Sequence, residues 1–213
     1  MLMSLSARFA CGLLALVLVA PAGADNVPAQ ADKHVATAVL AGGCFWGLEA
    51  VFERLRGVSN VVAGFSGGNA VTAHYEIVST GTTGHAESVQ ITYDPAQISY
   101  ATLLKVYFTI ATDPTELDRQ GPDEGSQYRS EIFTTSDEQA RIAHAAIATL
   151  TAAHAFSAPI VTKVEPLRAF YAAESYHQHF YDRNPTYPYI VYNDKPKVDA
   201  LRAKYPQLVK SDN

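Results

Sequence analysis

Six consecutive residues, Gly42-Gly43-Cys44-Phe45-Trp46-Gly47, concentrate the chemistry this chain can offer. They hold its only tryptophan and one of its 2 cysteines. A cysteine becomes a strong nucleophile as the thiolate. The apolar run 37–41 before it reads as a strand. Phe45, Leu48, Val51, Phe52 and Leu55 after it recur at helical spacing. Cys44 is therefore predicted where a strand turns through two glycines into a helix. Free backbone N–H groups and the positive end of the helix dipole meet there, and both should favour the thiolate. Phe45 and Trp46 offer an apolar wall for a small substrate. The expected chemistry is attack by a thiol on a group held against aromatic rings.

Compartment decides how that cysteine must be used. Arg8 is the only charge before Asp25, residues 9–20 are almost wholly apolar, and residues 21–24 end in a small-x-small pattern. This predicts a cleavable export signal over residues 1–24, its apolar run too short for a comfortable membrane span. Residues 25–34 read as a linker and residues 35–213 as one domain. A single arginine and no basic amphipathic face argue against a mitochondrial route, so the expected destination is a bacterial periplasm. Cys11 leaves with the leader, and Cys44 then stands alone. Exported proteins normally use cysteines in pairs. A lone one is either inert in the core or reactive and maintained by an outside reductant. The glycine turn, the helix start and the flanking rings favour the reactive reading. The net charge is −5 with no basic run, which excludes nucleic acid and anionic membrane surfaces as partners. A monomer is expected.

The elements that must position these residues follow from patterning. Residues 58–65 and 87–93 read as strands. In the second, Val89, Ile91 and Tyr93 share one face while Ser88, Gln90 and Thr92 share the other. Further strands are predicted over 129–134 and 160–165. Ser99 caps a helix carrying Leu103, Leu104, Tyr107 and Phe108, and Ser136 caps an Ala-rich helix to about residue 155. Residues 172–182 read as a helix stopped by Asn184-Pro185, residues 187–193 as an irregular aromatic tail, and 197–205 as a last helix. Between them, residues 112–127 form a long polar loop, and such loops in compact domains are usually functional. The mixture predicts an α+β, two-layer domain, a mixed but mainly antiparallel sheet with packed helices.

Four blocks, in order, carry a resemblance. They are the hexapeptide; Gly64-Phe65-Ser66-Gly67-Gly68; residues 75–87 closing with Tyr93-Asp94-Pro95; and Asp113-Pro114-Thr115 continuing through residues 120–130. Together they resemble the peptide methionine sulfoxide reductases of the A type. The resemblance implies reduction of the S epimer of methionine sulfoxide, free or in oxidised proteins. It implies that Cys44 attacks the sulfoxide sulfur and that Glu87, its pKa raised by burial against Phe45 and Trp46, supplies a proton. Phe45 and Trp46 would hold the S-methyl group, Tyr75 and Tyr128 the sulfoxide oxygen, and Asp123 would help to position substrate. A C-terminal tyrosine, Tyr187 or Tyr189, would line the pocket. Thr112 and Asp118 stand where many relatives have histidine and asparagine. Residues 187–194 contain no cysteine, which resembles the single-cysteine branch. Cys44 would end as a sulfenic acid that an external thiol reduces, either a thioredoxin-like protein or a small thiol. No bound cofactor or metal is expected.

Two other classes compete. A cysteine hydrolase would need His85 or His177 as an imidazole base on Cys44, but no papain-type pattern surrounds the thiol. His85, two residues from Glu87, reads as structural. A thiol sensor or metal module would need ligand spacing that the 7 scattered histidines do not supply.

Overall fold

The computed structural model describes residues 35–211, so the leader and linker expected over residues 1–34 lie outside the described residues. The strand before the cysteine, β1 (Ala36–Ala41), is central because it is apolar on both faces. Ala38 and Leu40 face the main core. Val39 and Ala41 face a smaller cluster with Ala86 and Phe133, against which Leu167 and Phe170 pack. In chain order the sheet also contains β2 (Val58–Ser66), β3 (Ala86–Tyr93), β6 (Glu131–Thr134), β7 (Lys163–Pro166) and β8 (Phe170–Ala172). Two short strands, β4 (Arg119–Gln120) and β5 (Asp123–Glu124), pair separately. The large sheet has the order β7-β6-β1-β3-β2-β8. All its pairs are antiparallel except β6 with β7.

Helices cover the main-core face. In α1 (Phe45–Glu53) and just beyond it, Phe45, Leu48, Val51, Phe52 and Leu55 are all fully buried. Burying such a side chain contributes about 1.5–3 kcal/mol, so this stripe anchors the helix that carries the cysteine. The one-turn helix α2 (Tyr75–Val78) follows β2. Ser99 caps α3 (Tyr100–Val106) by accepting the Thr102 N–H, and Ser136 caps α4 (Asp137–Ala152) by accepting the Gln139 N–H. α3 continues into a π-turn, Tyr107–Ala111. α6 (Lys195–Lys204) packs against α1 and is preceded by a second π-turn, Ile190–Asp194, where the sequence suggests an irregular tail. Among the described residues no helix is long and apolar enough to cross a membrane.

The helix expected over 172–182 is replaced by other structure. Residues 170–172 form β8 on the edge of β2, pairing Phe65 with Tyr171 and Gly64 with Ala172. Gln178 then prolongs that edge: its side chain accepts the Ala63 N–H at 2.9 Å and donates to the Ala63 carbonyl at 2.9 Å. Only Phe180–Arg183 is helical, as the one-turn α5. The sheet edge offers hydrogen bonds that local periodicity cannot reveal. The long polar loop also gains structure, in the β4–β5 hairpin and a 3₁₀ turn over Ser126–Tyr128.

Candidate active site

The turn between β1 and α1 is held by the long loop. Gly43 has φ +95°, a left-handed conformation that suits glycine, and the Gln120 side chain fills the space a Cβ would need. The same Gln120 amide accepts the Asp113 N–H at 2.7 Å and donates to the Asp113 carbonyl at 2.9 Å. Thr112 closes over Gly42 in the same way, and Asp118 takes a left-handed φ of +50° that aspartate tolerates. Cys44 becomes the N-cap of α1, as its sequence position predicts, and is 8% exposed. The first N–H of the helix, that of Phe45, donates to Glu87 Oε2 at 3.0 Å. Glu87 reaches it from β3, next but one to β1's partner residue Val89. A buried carboxyl is thereby fixed one residue from a buried thiol.

Aromatic rings wall the thiol. Phe45 lies 5.8 Å from Phe65, 6.4 Å from Tyr75 and 4.9 Å from His177, measured between ring centroids. Trp46 stacks on Phe180 at 3.8 Å and receives the edges of Tyr187 and Tyr189. Its indole N–H donates to His177 Nδ1 at 3.1 Å. Tyr75 opens α2, where the Glu174 carboxylate accepts its backbone N–H at 3.0 Å. Asp123, in the β4–β5 hairpin, accepts a short hydrogen bond from the Tyr189 hydroxyl. This separates the two C-terminal tyrosines: Tyr189 reaches into the site, while Tyr187 stays at the rim against Trp46 and Phe180.

The electrostatics are those of crowded acids. Burial pushes the Glu87 carboxyl up to about 8, with Asp123 and Asp194 adding to it and the Phe45 N–H opposing. Burial also raises the Tyr75 hydroxyl to about 12, with Glu87 and Cys44 contributing. Tyr128 is raised too, by burial first and then by Glu87, Asp123, Tyr75 and Cys44, which places its hydroxyl among the same groups. The thiol departs from expectation. Burial lifts Cys44 well above the ordinary thiol range, Glu87 and Asp194 lift it further, and the Trp46 N–H beside the sulfur only partly offsets them. The helix terminus is present, but burial, with the nearby carboxyls adding to it, outweighs it and favours the thiol.

A family model described as peptide methionine sulfoxide reductase matches residues 36–209, nearly all of the described chain. This chain belongs to that family. It is 55% identical to peptide methionine sulfoxide reductase MsrA 2 of Mesorhizobium japonicum over 172 residues, 81% of this chain and 88% of the relative. It is 52% identical to MsrA 2 of Synechocystis over 176 residues, 83% of this chain and 82% of the relative. Among solved structures, reduced Mxr1 of Saccharomyces cerevisiae is similar at a TM-score of 0.66 and 32% identity, covering 72% of this chain and 87% of that one. Methionine sulfoxide reductase A of Corynebacterium diphtheriae is similar at 0.61 and 34%, covering 71% and 76%. The α+β fold read from the sequence agrees with both.

The site of this reductase brings together Cys44, Phe45, Trp46, Tyr75, Glu87, Asp123 and Tyr128, each singled out from the sequence. It also contains residues that sequence reasoning gave no such place. His177 is buried and fixes Trp46; burial lowers its basicity, and with Nδ1 occupied by the indole it is no base for the thiol. His85 is structural: Gly68 N–H donates to its Nδ1 at 3.3 Å and Nε2 lies 3.0 Å from the Asn69 carbonyl. Phe180 and Asp194 were missed. Phe180 lay inside the misread helix, and Asp194 carried no signal beyond a polar residue before Lys195-Pro196.

Proposed function

We propose that this reductase acts on the S epimer of methionine sulfoxide, free or in oxidised proteins, with Cys44 as nucleophile and Glu87 as acid. The observation that carries this reading is a buried carboxyl fixed by the Phe45 N–H beside a buried thiol, inside an aromatic wall. A sulfoxide sulfur is electrophilic, but its oxygen is displaced only when protonated. Glu87, largely protonated at neutral pH, gives its proton to that oxygen and takes back the proton of the Cys44 thiol. Tyr75 and Tyr128 donate hydrogen bonds to the oxygen. Phe45 and Trp46 enclose the S-methyl group. Attack forms a bond between the Cys44 sulfur and the substrate sulfur as the protonated oxygen leaves as water. Water then adds to the Cys44 sulfur, that bond breaks, and methionine departs from a Cys44 sulfenic acid.

Cys44 is the only cysteine among the described residues, which supports an external reductant. One thiol condenses with the sulfenic acid to release water, and a second frees Cys44 as a disulfide departs. The proposed reductant is a thioredoxin-like protein or a small thiol. The leader-like segment over residues 1–24 supports export to a periplasm; a mature N-terminus beginning after Ala24 checks the export.

A single-turnover reaction without reductant tests the activity. Reduced protein is mixed with each sulfoxide epimer, and Cys44 is then trapped with a sulfenic-acid reagent. About one methionine per Cys44, from the S epimer alone, is expected. No methionine from either epimer with folded, reduced protein overturns the reading.

A further inference from the structure

Asp194 is a buried carboxyl that the reaction above leaves unused. It is 0% exposed, and neither oxygen has a hydrogen-bond partner among the described residues. It stands at the N-cap position of α6, yet its side chain caps nothing. Among the described residues its close cation is Lys197, whose Nζ lies 3.9 Å from Oδ1. Oδ1 instead presses on Gly47, in the first turn of α1, so tightly that any Cβ there would collide with it. Burying a carboxyl with one long ion pair and no hydrogen bond costs stability.

The place it occupies explains more. The first turn of α1 offers one positive helix end. Glu87 takes the Phe45 N–H, the Cys44 sulfur lies at the Trp46 N–H, and Asp194 abuts Gly47. Three acids share one terminus, and a charge on any of them disfavours a charge on the others. We propose that Asp194 is a positioning residue for the reactive thiol, its carboxylate seated on the turn that Cys44 caps and withholding the thiolate. This rests on Cys44 being the nucleophile of the reductase. The groups that face Asp194 are Lys197 from its own helix, Cys44 from α1, Glu87 from β3, Asp123 from β5 and the Tyr189 hydroxyl. Burial pushes the Asp194 carboxyl up to about 7 despite Lys197, so it carries most of its charge only above neutral pH.

A restrained thiol suits an enzyme that meets oxidants with one cysteine. Peroxide oxidises a thiolate far faster than a thiol. One peroxide turns the thiol into sulfenic acid and water, and a second turns that into sulfinic acid and water, which is effectively irreversible.

The test is alkylation of Cys44 by iodoacetamide in the full chain between pH 5.5 and 9.5, read by peptide mass. Asp194→Asn should react about three- to tenfold faster than wild type above pH 7.5, with the two curves meeting below pH 6 where Asp194 is already neutral. Asp194→Ser, smaller and also neutral, is the second variant should the first fail to fold. Folded variants whose curves superimpose on wild type overturn the proposal. So does an equal acceleration at every pH, which would mark altered access rather than lost charge. Sulfoxide turnover by wild type, against Cys44→Ser in the same assay, reports separately on the reductase reading.

Discussion

At the scale of single residues the site is a set of proton positions. Cys44→Ser should abolish methionine formation, since serine cannot form a sulfenic acid; quantifying methionine by chromatography checks it. Glu87→Gln keeps the Phe45 contact but removes the proton, and should lower kcat by about 100-fold or more. Glu87 acts as an acid only while protonated, and its carboxyl is pushed up to about 8. Wild-type kcat should therefore fall as pH rises through that value, and the glutamine variant should lose that alkaline limb. Cys44, Phe45 and Trp46 were legible because strand, glycine turn and helical spacing meet at one point. Glu87, Tyr75, Tyr128 and Asp123 became legible through matching blocks; spacing alone cannot tell an inward strand-end carboxyl from a solvated one. His177 and Asp194 were not legible. Their roles arise from contacts across 131 residues in the first case and from a close approach to Gly47 in the second.

At the scale of elements, α1 and α6 are locked through that close approach. Gly47→Ala would drive its Cβ into the Asp194 carboxylate, so the carboxylate or one of the two helices must shift. Overpacking of this kind costs about 1–3 kcal/mol, and a thermal melt should show a clear drop in Tm. Gly47→Ala combined with Asp194→Ala should recover part of the loss. The helices read from the sequence are those with caps and periodic apolar faces, such as α1, α3 and α4. The segment 172–182 is not one helix because its start belongs to a strand and its middle to the aromatic wall. Ala172 continues the β8 edge set by Phe170 and Tyr171, whereas His177 and Phe180 pack on Trp46 and Tyr176 lies against His177. Their spacing imitates a helix, and only the tertiary partners reveal the difference.

At the scale of the whole molecule, stability should depend on pH in an uncommon direction. Burial pushes Glu49 up to about 8, Glu87 to about 8 and Asp194 to about 7. An acid held above its unfolded value binds its proton more tightly in the fold, so its stabilisation is complete below about pH 4 and is lost as pH climbs towards 8. Tm should therefore fall between pH 5 and pH 8.5 by several degrees, since ~1 kcal/mol moves a domain of this size by about 2–4 °C. Glu49→Gln should flatten that slope, because one Glu49 oxygen has no partner and the other only accepts the His179 N–H at 2.8 Å. The C-terminal segment has a different consequence. Tyr189 is tied to Asp123, Asn193 is bonded back to the Tyr189 carbonyl, and Asp194 is wedged on Gly47. With no resolving cysteine in that segment, nothing in the fold has to let go during a cycle. A lattice should then be no obstacle to turnover. Crystals soaked first in the S-sulfoxide and then in a small thiol should diffract throughout, while the sulfur of Cys44 gains an oxygen atom and gives it up again.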